Sequence, residues 1–182
     1  LYVFSPLPPQ RNGLADYIVE YLPMLMKDFD LHLVAESGHS AAARARFSLQ
    51  PGITVIDEAH FLARQPEPSA QILYNVGNNG DCAYLLDYAH RFPGVVIVHD
   101  ISLFYLHQVT AQLARANGLM GRWLAIEQHE APEDFLGRDG SVTRTPGTMY
   151  QECLMVRRLV TSAQGLMVHT EYAERRLRGG AS

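Results

Sequence analysis

The chain has only two cysteines among its 182 residues. Cys82 and Cys153 lie far apart and in no ligand-like spacing, which leaves no disulfide framework and fits two ordinary thiols in a reducing compartment. No stretch approaches the roughly 18 apolar residues that a membrane span needs, nor does the start read as a basic-plus-apolar secretory leader. The cytoplasm is the expected compartment. A positive excess is missing as well: 15 Lys and Arg against 19 Asp and Glu give a formal charge of −4. So weak a basic field does not gather nucleic acid, which is not an expected partner.

Familiar catalytic signatures are also missing. There is no G-x-G-x-x-G or Walker loop, and no G-x-S-x-G nucleophile turn. His99, Asp100, His107, His129 and Glu130 contain no pair spaced like H-E-x-x-H, so no metal is expected. Internal repeats and low-complexity tracts are absent.

What is present is 47% hydrophobic content, enough for a sizeable core, arranged in short runs. Leu1–Phe4, Leu31–Ala35, Ile53–Ile56, Ile72–Tyr74, Val95–Val98 and Leu166–Val168 each read as a buried parallel strand. Between them Leu14, Ile18, Tyr21, Leu22 and Leu25 recur at helical spacing, as do Tyr84, Leu85, Tyr88 and Ala89. Such alternation predicts an α/β fold over residues 1–182: a Rossmann-like, doubly wound, mainly parallel sheet with helices on both faces. Residues 102–129 read as a longer helical region broken near Asn117-Gly118, and Thr148–Thr161 as another helix. The polar stretch "HEAPEDFLGRDGSVTRTPG" between them reads as a surface loop, its 133–147 part either a lid or a plain connection.

In open parallel sheets ligands bind outside the carboxyl ends of the strands, so the residues that follow each strand carry the functional question. "SPLPPQRNGLADY" follows the first: Gly13 at a helix start can let backbone approach an anion, with Arg11 adding charge, or it can serve a tight turn. Asn75, Gly77 and Asn78 follow the fourth, as amides for sugar hydroxyls or as turn formers. His99-Asp100 follows the fifth. A neutral imidazole there can donate to or accept from a hydroxyl, while the carboxylate can steer the ring, accept from a hydroxyl, or cap the next helix. His169-Thr170 follows the sixth, with Thr170 placed to cap "EYAERRL".

"SPLPPQRNGLADYIVEYLPML", "YNVGNNGDCAYLLDYAHRFPGVVIVHD" and "GLMVHTEYAERRL" together resemble, in order, the N-terminal half of a retaining glycosyltransferase of the GT-B type, group one, family four. The resemblance implies an acceptor-binding half whose donor-binding partner domain lies beyond Ser182. The chain's two ends accordingly read as cuts in a longer protein. It further implies a nucleotide-sugar donor as substrate, a carbohydrate or glycolipid acceptor, no metal or other cofactor, and room for peripheral membrane association. By position, Asn12 and Gly13 fall at the donor diphosphate, although many members carry two adjacent glycines there. His99 matches the histidine that faces the transferred sugar and Asp100 the acidic residue beside it, giving the catalytic pair, while Asn75, Gly77 and Asn78 line the acceptor side. Two alternatives remain: a non-catalytic carbohydrate- or protein-binding module, and a GT-B nucleotide-sugar epimerase that would need an acid/base pair such as Asp100 and Glu130.

Overall fold

A computed structural model describes residues 1–64, 66–67, 70–115, 119–120, 122–123 and 153–180. Six parallel strands form one sheet: β1 Tyr2–Phe4, β2 Leu31–Ala35, β3 Ile53–Asp57, β4 Ile72–Val76, β5 Val95–Val98 and β6 Gly165–Val168. Helices α1 Gly13–Leu25, α2 Ser40–Phe47, α3 Glu58–Ala63 and α4 Ala83–Arg91 connect the first five strands, with a 3-10 turn at Gly80–Cys82. Then come α5 Phe104–Leu113, α6 Arg157–Ser162 and α7 Glu171–Gly180, with β6 between the last two. The spatial order is β3-β2-β1-β4-β5-β6, every neighbouring pair parallel. The chain therefore starts mid-sheet, builds outward to one edge, and returns to build the other. This is the Rossmann-like order whose ligand crevice opens where β1 and β4 lie side by side.

The central strands look largely apolar in sequence because both faces of the sheet are covered there, whereas Leu166 and Met167 of the edge strand β6 are exposed. Alternate residues enter different cores. Val3, Leu33, Leu73 and Ile97 pack with Ile18 and Leu22 of α1 and Ala43 and Phe47 of α2. Phe4, Val34, Tyr74, Val96 and Val98 pack with Phe61 of α3, Leu85 and Ala89 of α4, Leu106 of α5, Leu159 of α6 and Leu177 of α7. Within this second core Phe4 lies 4.9 Å from Phe61 and 5.0 Å from Tyr74, ring centre to ring centre. The buried Tyr74 hydroxyl donates to the Phe92 carbonyl at 2.7 Å, and burial pushes its pKa up.

All six expected strands form, with β4 running two residues further than its apolar run. Helices α2 and α3 had no counterpart in the hydrophobic pattern. Five of the eight α2 residues in "SAAARARF" are Ala or Phe without a clear stripe, and α3 has only six residues, held by Asp57 accepting from the His60 N–H at 2.9 Å. The helix expected over Thr148–Thr161 is corrected: α6 starts at Arg157, and the buried Cys153–Val156 segment is not helical. Its carbonyls pair across the chain, Leu103 N–H donating to Leu154 O at 2.7 Å and Ser102 Oγ to Cys153 O at 3.2 Å. Helix α5 ends at Leu113, and Arg115 turns the chain at φ +50. The break expected at Asn117-Gly118 and the 133–147 lid lie outside the described residues. No described helix is long and apolar enough to cross a membrane.

Two residues fix the packing narrowly enough for prediction. A Cβ at Gly94 would stand 2.5 Å from the Ile72 carbonyl oxygen, which belongs to the neighbouring strand. Gly94→Ala is expected to cost about 2–4 kcal/mol in urea unfolding through overpacking against backbone. His107, 3% exposed, is held near pKa 4 by burial, and its Nδ1 donates to the Leu103 carbonyl at 3.0 Å. Its folded pKa lies below the unfolded value of 6.5, so the unfolded chain binds more protons between the two. Stability is full above about pH 6.5 and falls as pH drops toward 4, by on the order of 3 kcal/mol from this group. His107→Phe should flatten that slope, whatever its offset at neutral pH; an unchanged slope would remove His107 as its source.

Candidate functional site

The polar residues gather where hydrophobic alternation stops, at the carboxyl ends of the strands. Phe4 pairs in register with Tyr74, so Ser5 stands beside Asn75. Ile97 pairs with Asn75 and with Met167, so His99 and His169 stand beside each other two residues further on. All four share the parity of the strand residues that face α1. Alternation thus places Ser5, Asn75, His99 and His169 on one face of four adjacent strands, under the first half of α1.

Asn75 lies inside β4 and is fully buried, not beyond the strand as its apolar run implied. Its Nδ2 donates to Ser5 Oγ at 3.0 Å, and its Oδ1 contacts His99 Nε2. Ser5 Oγ in turn donates to the Pro6 carbonyl at 2.8 Å. On the other side of the ring, His99 Nδ1 lies 3.1 Å from His169 Nε2. Tyr17, one helical turn beyond Gly13, meets both imidazoles edge-on at 4.7 and 5.7 Å. Burial lowers the His99 pKa to about 4, with His169 adding to the shift and Asp100 opposing it. At neutral pH the ring is uncharged. Such a group makes hydrogen bonds readily but is a weak proton acceptor.

Gly77, Asn78 and Asp100 form a separate arrangement. The Asp100 carboxylate accepts from the Asn78 N–H at 2.7 Å, and Asn78 Oδ1 accepts from the Leu106 N–H at 2.9 Å in the first turn of α5. The expectation that Asp100 caps the following helix is corrected: α5 begins at Phe104, and its free amides are served by Ser102, whose Oγ accepts from the Phe104 N–H at 3.4 Å, and by Asn78 at Leu106. Gly77 is closely packed: a Cβ there would stand 2.8 Å from Leu14 Cδ1 and 3.2 Å from Asp100 Oδ2, so the Leu14 side chain would have to shift. The Gly77 N–H donates to the Cys82 sulfur at 3.4 Å, and burial pushes that thiol up to about 12, which leaves no thiolate nucleophile.

Asn12 is the N-cap of α1, accepting from the Ala15 N–H at 2.9 Å, and its amide nitrogen donates to the Asp81 carboxylate. Gly13 opens onto free space, with no tertiary neighbour within 4 Å of where a Cβ would stand. Helix geometry leaves the Gly13 and Leu14 amides of α1 without intrahelical acceptors, while the Ala15 amide is taken by the Asn12 side chain. Thr170 caps α7 as its position suggested, accepting from the Ala173 N–H at 3.1 Å.

A crevice of about 130 Å³ lies between His99, Ile101, His169, Thr170 and Tyr172. Two larger hollows, about 410 and 320 Å³, open at the opposite end of the sheet, where Ile72 begins β4. That end carries none of the polar row. Among the described residues no group of three or more His, Cys, Asp or Glu is placed to hold a metal ion. His129 and Glu130 lie outside the described residues.

Ser5 and Tyr17 were not singled out from sequence, and His169 was read only beside its capping neighbour. Parity would have selected Ser5, but only with the knowledge that β1 and β4 are neighbours. No family model, curated protein or solved structure matches the chain.

Replacing Asn78 by Ala removes the acceptor for the Leu106 amide and should cost about 1 kcal/mol in denaturant unfolding. Asn78→Asp, which keeps an acceptor at the start of α5, should recover part of it. No loss in the alanine variant would show that water replaces the cap.

Proposed function

We propose that this chain is the acceptor-side half of a two-domain retaining glycosyltransferase, with His99 facing the sugar that is transferred. The observation that carries the reading is the neutral imidazole at the carboxyl end of β5, braced by a buried amide beside a crevice lined by β5, β6 and α7. In a Rossmann-like sheet of this order a ligand lies across that end. The crevice of about 130 Å³ is well below the roughly 300–1,000 Å³ of a complete small-molecule pocket, as fits a cleft completed by a second domain.

Replacing a diphosphate at an anomeric carbon with retention passes through an oxocarbenium-like state, while negative charge grows on the departing phosphates. Fixed dipoles stabilise that charge best when aimed where it develops. The main-chain amides at Gly13 supply one such dipole, since Asp81 already engages Asn12. His99 holds the sugar by a hydrogen bond rather than by proton transfer, in keeping with its low pKa. Asn75 acts through His99, and Gly77 and Asn78 shape the acceptor wall by holding the β4 turn against Asp100.

The test is donor turnover in the parent protein that carries this chain, measured with UDP-, GDP- and ADP-sugars for wild type and His99→Ala. Losing one positioned hydrogen bond in the transition state should lower kcat about 10- to 1,000-fold with one of these donors, at unchanged thermal midpoint. Equal activity in the two proteins would remove His99 from the reaction. No turnover of any donor by the folded parent would favour a non-catalytic carbohydrate-binding module.

A further inference from the structure

The polar row has a direction, and a backbone carbonyl sets it. The Pro6 oxygen can only accept, so the Ser5 hydroxyl 2.8 Å away spends its one proton there. Ser5 Oγ is then an acceptor for Asn75, which must present its NH₂ group to Ser5 and its Oδ1 to His99. An acceptor at that place requires the proton on His99 Nε2, which leaves Nδ1 bare on the side of the exposed His169, a residue that lines the crevice. Reversing the row would set the lone pairs of Ser5 Oγ against the Pro6 carbonyl and strand a buried acceptor.

We propose that Ser5 and Asn75 are positioning residues that lock His99 as its Nε2–H tautomer, making Nδ1 the hydrogen-bond acceptor that the crevice offers to a ligand. The partner chemistry follows: a neutral donor, such as a sugar hydroxyl, fits this nitrogen, whereas a carbonyl or a phosphate oxygen does not. The His169 Nε2 at 3.1 Å is a donor resting where the ligand's hydroxyl would sit, and the exposed His169 side chain is free to leave it. The identity of the ligand as a sugar rests on the transferase reading; the tautomer does not.

The lock is measured on this chain itself at pH 7 by long-range proton–nitrogen NMR of the histidine rings, without any ligand or turnover. Wild type should show His99 with a protonated Nε2 and a pyridine-type Nδ1, one tautomer in at least about tenfold excess. In Ser5→Ala the amide of Asn75 loses the partner that orients it, and the excess should fall severalfold toward that of an unconstrained imidazole. In His169→Ala the tautomer should stay as in wild type, because the lock acts from the buried side. A proton on Nδ1 in wild type, an undiminished excess in Ser5→Ala, or a tautomer change in His169→Ala would each overturn the proposal. Each of these outcomes is independent of whether the parent transfers a sugar.

Discussion

A parallel sheet covered on both faces buries two sets of side chains from its central strands, and this demand organises the chain. Apart from the partly exposed His32 and the exposed Thr54, strand positions turn polar where helical cover ends, at the carboxyl edge. Ser5, His99 and His169 therefore follow from the same constraint that fills the cores with Val3, Phe4, Val34 and Ile97. Asn75 is the exception that joins the two regions. It sits inside β4 with no exposure, where an unpaired amide would be costly, and it is satisfied from both neighbouring strands.

The resulting site sets an uncharged His99 near two hydrogen-bonded carboxylates, Asp100 accepting from the Asn78 N–H and Asp81 from the Asn12 amide. The reading as half of a glycosyltransferase and the tautomer lock at His99 meet here, since both need an uncharged acceptor in a small crevice. Tyr84 adds rigidity below it: its buried hydroxyl reaches the carbonyls of Ser5 and Val34, both at 2.9 Å, tying the ends of β1 and β2 together.

The fold class was readable because strand burial leaves a local trace. Val95–Val98 is apolar at every position and Leu31–Ala35 at all but the partly exposed His32, as strands of a sheet covered on both faces are, and their predicted limits match β5 and β2. Where the trace was weak the reading failed. Nothing periodic marks α2, and Cys153–Val156 looks helical in sequence yet forms an irregular turn, with Met155 at φ +56, held against Ser102 and Leu103 by bonds to residues some fifty positions away.

By itself the sequence determined the α/β alternation, the polar residues after each strand, and the Thr170 cap, because each depends on neighbours a few residues apart. Only the tertiary structure decided which of those residues meet. Strand order brought Ser5 beside Asn75 across 70 positions and His99 beside His169 across the same separation, while it sent Asn78 and Asp100 to a turn that starts α5. The physical reason is that hydrogen-bond partners between strands are set by sheet order and register, and neither is written in the periodicity of any single strand.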